Sequence, residues 1–173
     1  MKYSTAETTI DLKAIKSNYL FIKKYCSKAE VAASVKASGY GLEGQNKIVS
    51  LLRNLKCKNF FVANIKEALT IRKKFKDLSI YILNGLNKGE DYTFLKHNLT
   101  PVLNTYDQFL KWTRFLKKKN NIKIVIHIDT GMNRLGFQDY DVKKLIENKN
   151  KLNNYKDVLL MSHLACSDDK KDK

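Results

Sequence analysis

Apolar positions recur along the chain in two alternating styles. Short runs rich in β-branched and aromatic residues are followed by longer stretches whose apolar residues lie three and four apart. That alternation predicts strands interleaved with amphipathic helices. Residues 8–11 (TTID) read as a short opening strand, after which Asp11 is placed to cap a helix with Leu12, Ile15, Tyr19 and Ile22 on one face. The next strand is expected at 31–36 (VAASVK), followed by a helix over 45–55 with Ile48, Leu51, Leu52 and Leu55 on one side. Further strands are expected at 60–65 (FFVANI), 79–83 (SIYIL), 99–103 (LTPVL), 123–129 (KIVIHID) and 158–164 (VLLMSHL). Pro101 argues against the third of these, because it lacks a ladder donor. Helices are expected over 66–74, 106–117 (with Phe109, Leu110 and Phe115) and 141–148.

From Val31 onward the pattern gives about six strands alternating with helices, hence βα units and a parallel sheet in an α/β fold. No Pro/Gly linker and no shift of composition interrupts residues 1–173, so they read as one domain. A closed (β/α)₈ barrel of the TIM type has eight strands and about 250 residues. At 173 residues the sheet is either open or most of a barrel without its last two strands.

Composition narrows the class. With 7 Gly and 1 Pro, collagen-like and low-complexity chains are excluded, and the 43% hydrophobic content suits a packed globular protein. Thirty-three Lys and Arg against seventeen Asp and Glu leave a net charge of +16. Such a balance can signal a nucleic-acid partner. Here the excess is mostly lysine, scattered in pairs with one KKK run at 117–119, and no Arg-rich arm or basic-aromatic motif accompanies it. A codon bias toward Lys and Asn accounts for it as well, and no specific nucleic-acid partner is expected. Cys26, Cys57 and Cys166 form no CxxC pair; an odd, widely spaced set argues against a disulfide framework or a metal site and suits a reducing compartment. No apolar run approaches the roughly 18 residues that span a bilayer, and the N-terminus lacks a secretory apolar core. A cytoplasmic protein with no membrane partner is expected.

Three segments carry candidate chemistry. In Val35-Lys36-Ala37-Ser38-Gly39-Tyr40-Gly41, Lys36 falls at the C-terminal end of an expected strand, where parallel α/β folds place their sites. Partial loss of hydration there favours the neutral amine, which is a nucleophile and a base. The small residues that follow leave room for a planar cofactor, and the Tyr40 hydroxyl suits an anion; an exposed lysine beside a tight turn is the plainer alternative. In the segment 127–137 (HIDTGMNRLGF), Arg134 lies in a loop after a strand and offers a fork of donors for a carboxylate or phenolate. Its alternative is a structural arginine paired with Asp129 or another acid. In 161–169 (MSHLACSDD), His163 lies on or just past a strand end, where a structural role is the alternative, and Cys166 has no candidate base beside it.

Taken together, these segments resemble the alanine racemase family, whose members have an N-terminal pyridoxal-phosphate barrel. VKASGYG is similar to the family's cofactor-lysine segment VKANAYGHG, DTGMNRLGF to the segment after the fifth barrel strand, and MSHLACSDD to that after the sixth. The opening TTIDLKAIKSNY, FFVANIKEALTIRK and IYILNG match as well, so the resemblance covers nearly all of residues 8–169. It implies a (β/α) barrel with about six of its eight units present and the family's C-terminal β domain absent. It also implies interconversion of L- and D-alanine, which feeds cell-wall synthesis, with pyridoxal 5'-phosphate as cofactor.

By the same resemblance, Lys36 would bind the cofactor covalently and act as one of two bases. Tyr40 would hydrogen-bond the phosphate. Arg134 would stand near the cofactor's phenolic oxygen and hold the substrate carboxylate, and His163 would lie behind the cofactor ring. The second base, a Tyr of the partner subunit in a homodimer, belongs to the part of the family beyond Lys173, so the isolated chain is expected to be inactive. A broad-specificity racemase or a non-catalytic pyridoxal-phosphate-binding barrel is the alternative within the same cofactor class.

Two departures from the family stand out. Leu42 and Glu43 replace the usual His after Tyr-Gly, and His127 stands where many members carry a carbamylated lysine. A neutral imidazole can accept from Arg134 whereas an imidazolium repels it, so activity is expected to fall as pH drops through the histidine range.

Overall fold

Asp11 sets the start of the first helix. In the computed structural model, which describes residues 8–42, 44–116 and 122–169, its Oδ1 accepts from the backbone N–H groups of Lys13 (2.8 Å) and Ala14 (3.1 Å). These are donors that the first turn of a helix leaves unpaired. Helix α1 (Leu12–Tyr25) follows. Residues 8–11 form no strand, and Asp11 is extended at the cap; Ile10 is their only large apolar residue, too little to anchor a strand. Glu43 and the KKK run at 117–119 lie outside the described residues.

The described residues group into two compact units that part between Tyr81 and Ile82. In the first, β1 (Ala33–Ser34) pairs in parallel with β2 (Asn59–Val62), Ala33 facing Phe60 and Ser34 facing Phe61. A single turn, α2 (Lys36–Tyr40), and helix α3 (Gln45–Asn54) connect them. Helix α4 (Ile65–Lys74), capped by Asn64 Oδ1 on the Glu67 N–H, leads to β3 (Ser79–Ile82). Val49, Phe60, Val62, Ala68, Ile71 and Ile80 form the buried centre of this unit. On α1 only Tyr19 joins the core, while Phe21 and Tyr25 stack on one another in solvent. The expected apolar stripe of α1 is therefore largely uncovered.

The second unit contains α5 (Asp91–Lys96), β4 (Thr100–Leu103), α6 (Tyr106–Leu116), β5 (Lys123–His127), α7 (Asp139–Glu147), a 3₁₀ segment (Lys149–Asn154) and β6 (Asp157–Met161). β4 and β6 flank β5, both in parallel. Pro101 is tolerated because the ladder toward β5 starts one residue later, at Val102. Residues 124–127 are all buried, the continuous run of a parallel strand covered on both faces. Phe94, Phe109, Trp112 and Phe137 fill the core around them, with Phe94 edge-on to Trp112 at 5.9 Å. β6 differs: Leu159 and Leu160 are 46% and 62% exposed.

Within each unit the paired strands follow chain order and run parallel, β1 with β2 and β4 with β5 and β6, so the expected parallel α/β alternation is what the chain adopts. The six-residue α5 was not anticipated, because Phe94 and Leu95 are too few to show a period. No described helix is long and apolar enough to cross a membrane.

Candidate active site

Lys36 sits two residues past β1, not inside the strand expected over 31–36. Its main chain is pinned on both sides. Val35 N–H donates to Phe61 O (2.9 Å), and Val35 O accepts from the buried Gln45 Nε2 (2.7 Å). On the other side, Ala37 N–H donates to Glu67 Oε1 (3.0 Å), and the same carboxylate accepts from Ala63 N–H through Oε2 (2.9 Å). Lys36 itself is half-buried, and its amine makes no hydrogen bond or ion pair among the described residues.

The turn after Lys36 winds the wrong way for L-residues. Ala37, Ser38, Gly39, Tyr40 and Gly41 have φ of 51°, 54°, 78°, 62° and 80°. Left-handed backbone costs non-glycine residues about 1–2 kcal/mol each, and such strain concentrates where function requires it. Gly39 is needed for space as well, since a Cβ there would lie 3.2 Å from Gln45 N. Tyr40 is exposed and donates its hydroxyl to Ser34 Oγ (3.1 Å), so one short turn presents both the amine and the phenol. Glu67 holds this turn to α4, so Glu67→Gln, which puts an NH₂ against one of two N–H donors, is expected to cost about 1–2 kcal/mol. A urea midpoint equal to that of the native chain would show that the bridge contributes nothing.

The second unit carries the other predicted residues. β5 ends at His127, and the chain then loops out and returns at Phe137. Phe137 N–H donates to His127 O (2.7 Å), and Asp129 N–H donates to Phe137 O (3.1 Å). Asp129 organises the loop from within. Its Oδ1 accepts from the N–H groups of Gly131 (3.0 Å) and Asn133 (3.1 Å), and its Oδ2 from Gln138 Nε2 (2.8 Å). The Gln138 bond first, then the backbone N–H groups, hold this carboxyl below its usual range. Arg134 is exposed on the loop and has no ion pair with Asp129 among the described residues, so it is not a structural partner of that acid. His163 lies two residues past β6, exposed, beyond a Thr130 Oγ1 to Ser162 Oγ contact of 2.6 Å that ties the two loops.

His127 is 7% exposed, and its Nδ1 lies 2.8 Å from Asn104 Oδ1. Burial lowers its proton affinity most; Asp129 opposes this, and His163 and Arg134 add to it. The structure thus brings His127, Asp129, Arg134 and His163 into one electrostatic neighbourhood of the second unit, and Lys36 with Tyr40 into one turn of the first. Glu67, Gln45 and Asn104 were not singled out in the sequence. Glu67 had a signal, an acid on the first turn of a capped helix, but nothing local announces its reach to Ala37.

The family defined as alanine racemase, N-terminal domain, matches residues 10–173. An alanine racemase of Rickettsia rickettsii is 36% identical over 168 residues, which is 96% of this chain and 47% of the relative. That of Rickettsia prowazekii is 37% identical over 162 residues, 92% of this chain and 40% of the relative. The chain therefore spans less than half the length of these relatives. Among solved structures, the alanine racemase of Bartonella henselae with covalently bound pyridoxal phosphate superposes with a TM-score of 0.86 at 33% identity. That match covers 92% of this chain and 45% of the other. The biosynthetic alanine racemase of Pseudomonas aeruginosa gives 0.79 at 26% identity, covering 93% and 44%. On the family match over residues 10–173 and the lysine turn and Arg134 loop described above, the chain belongs to the alanine racemase family.

Proposed function

We propose that the chain carries the lysine-bearing part of a pyridoxal-phosphate-dependent alanine racemase, which interconverts L- and D-alanine. The observation that supports this most is the half-buried Lys36 amine, which makes no hydrogen bond or ion pair among the described residues and is held between two pinned main-chain groups just past β1. The residues suit the cofactor. An aldehyde needs a primary amine free to lose its proton, and a phosphate needs donors such as the exposed Tyr40 hydroxyl. When bound, pyridoxal phosphate supplies the electron sink for the carbanion left as the α-proton departs.

The chain's residues do the remainder. Lys36 would hold the cofactor and move a proton at the substrate Cα. Tyr40 would donate to the phosphate. Arg134 would serve the cofactor's phenolic oxygen and hold the substrate carboxylate through its fork of N–H groups. His163 would orient polar neighbours of the cofactor. In this reading the enzyme works in the cytoplasm as a homodimer, and its D-alanine supplies peptidoglycan precursors.

The test is to titrate the purified chain with pyridoxal phosphate, reduce with borohydride and map the adduct by peptide mass spectrometry, beside a Lys36→Ala control. A pyridoxyl group on Lys36, absent from the control, is expected. Equal labelling of both proteins, spread over surface lysines, would overturn the proposal. Trapping at Lys36 in a complete enzyme that does not racemise alanine would favour a non-catalytic cofactor-binding barrel.

A further inference from the structure

Asn104 follows β4 directly. Because Leu103 faces Ile126 in the β4–β5 register, the next residues along, Asn104 and His127, come side by side although 23 apart in the chain. Both are buried, Asn104 to 3% exposure. The orientation of the Asn104 amide is dictated by its other contacts. Nδ2 lies 2.8 Å from Leu83 O and 3.1 Å from Val102 O. Carbonyl oxygens only accept, so the amide nitrogen must face them and the amide oxygen must face the imidazole. That oxygen also only accepts. The hydrogen bond at 2.8 Å therefore requires a proton on His127 Nδ1.

The main chain of Asn104 is held as well. Asn104 N–H donates to Gln108 Oε1 (2.8 Å). Gly85 makes room for that side chain: at φ +74°, a Cβ on it would fall 2.4 Å from Gln108 Oε1. Nothing in this arrangement can rotate to offer His127 a donor without breaking two bonds to main-chain carbonyls.

We propose that Asn104 is a positioning residue of the active site: it fixes the proton of His127 on Nδ1 and leaves Nε2 as a hydrogen-bond acceptor for the loop that carries Arg134. The role in the site rests on the racemase reading above, whereas the protonation pattern does not. A guanidinium only donates, so a ring presenting Nε2 as a lone pair can receive it, and the opposite tautomer cannot. Among the described residues, Asp129 favours the imidazolium, whereas His163 and Arg134 join burial in opposing it. The folded ring is thus harder to protonate than the ordinary imidazole near pH 6.5. Its contribution to stability is present above about pH 6.5 and is lost as pH falls through the folded value, because the unfolded chain takes the proton first.

Long-range ¹⁵N–¹H NMR correlations of the histidine rings, recorded on the full chain at neutral pH without cofactor, test this. The His127 signals are assigned by their absence from a His127→Gln variant. A protonated, pyrrole-type Nδ1 and an unprotonated, pyridine-type Nε2 are expected in the native chain. Asn104→Ala is expected to shift the ring toward the Nε2–H form that free histidine prefers. An Nε2–H tautomer in the native chain, or an Nδ1–H tautomer that survives in Asn104→Ala, would overturn the proposal. The native spectrum needs no Asn104 variant, so the test stands even if that variant fails to fold. Pyridoxal trapping at Lys36 is read separately, so the two readings can fail independently.

Discussion

Lys36→Arg is expected to abolish covalent trapping of pyridoxal phosphate while leaving the fold in place. Arginine keeps the positive charge and most of the aliphatic stem, but its guanidinium stays protonated and does not attack an aldehyde. The folded state should hardly notice the change. The Lys36 amine makes no hydrogen bond or ion pair among the described residues, and the groups that hold the turn, Gln45 on Val35 O and Glu67 on Ala37 N–H, are untouched. Substitutions free of such contacts stay within about 0.5 kcal/mol. The measurement pairs the borohydride adduct map with a urea unfolding curve. Trapping in the variant at the same yield as in the native chain would show that Lys36 is not the attachment point, and a collapsed midpoint would show that it is a structural residue.

That prediction draws on a residue visible in the sequence, held by residues that were not. A strand leading toward Lys36 and the small residues after it were legible, although β1 ends two residues before the lysine. The left-handed winding was not, since Ala37, Ser38 and Tyr40 are ordinary L-residues whose positive φ is imposed by contacts 10 to 30 residues away. β5 was legible because three consecutive buried aliphatic positions, Ile124 to Ile126, leave an unbroken apolar run. Its partner at the site was not: Asn104 meets His127 only through the β4–β5 register. The same limit explains Arg134. Pairing with Asp129 was a fair expectation from spacing, but the loop spends that carboxylate on its own N–H groups and on Gln138.

Gly136→Ala is expected to destabilise the second unit by about 3 kcal/mol or more. Gly136 has φ +118°, outside the range that L side chains adopt, and an added Cβ would lie 2.7 Å from Asp129 N, 3.1 Å from Ile128 C and 3.2 Å from Asp129 Cα. All three are main-chain atoms of the strand end, which cannot swing aside as a side chain can. They are also fastened, because Phe137 N–H bonds His127 O and Asp129 N–H bonds Phe137 O. Admitting the methyl group means opening one of those bonds and releasing the loop that displays Arg134. Gly131→Ala is the matched control: φ is +125° there, but an added Cβ meets nothing within 4 Å, so only the backbone strain remains. A fall in melting temperature of about 6 °C or more is expected for Gly136→Ala, clearly beyond that of Gly131→Ala. Equal falls would mean the clash is relieved without loss.

β6 gives the chain a colloidal character as well as a structural one. Among the described residues it pairs with β5 alone, and Leu159 and Leu160 stand half open to water beside its free edge. An uncovered strand of this kind is a template for another extended chain. What keeps identical molecules apart is their shared charge of +16, whose reach is set by the solvent: about 10 Å at 0.1 M salt and about 3 Å at 1 M. The lysines that look like compositional drift are therefore expected to act as a repulsive coat over this margin, which concentrated salt would thin.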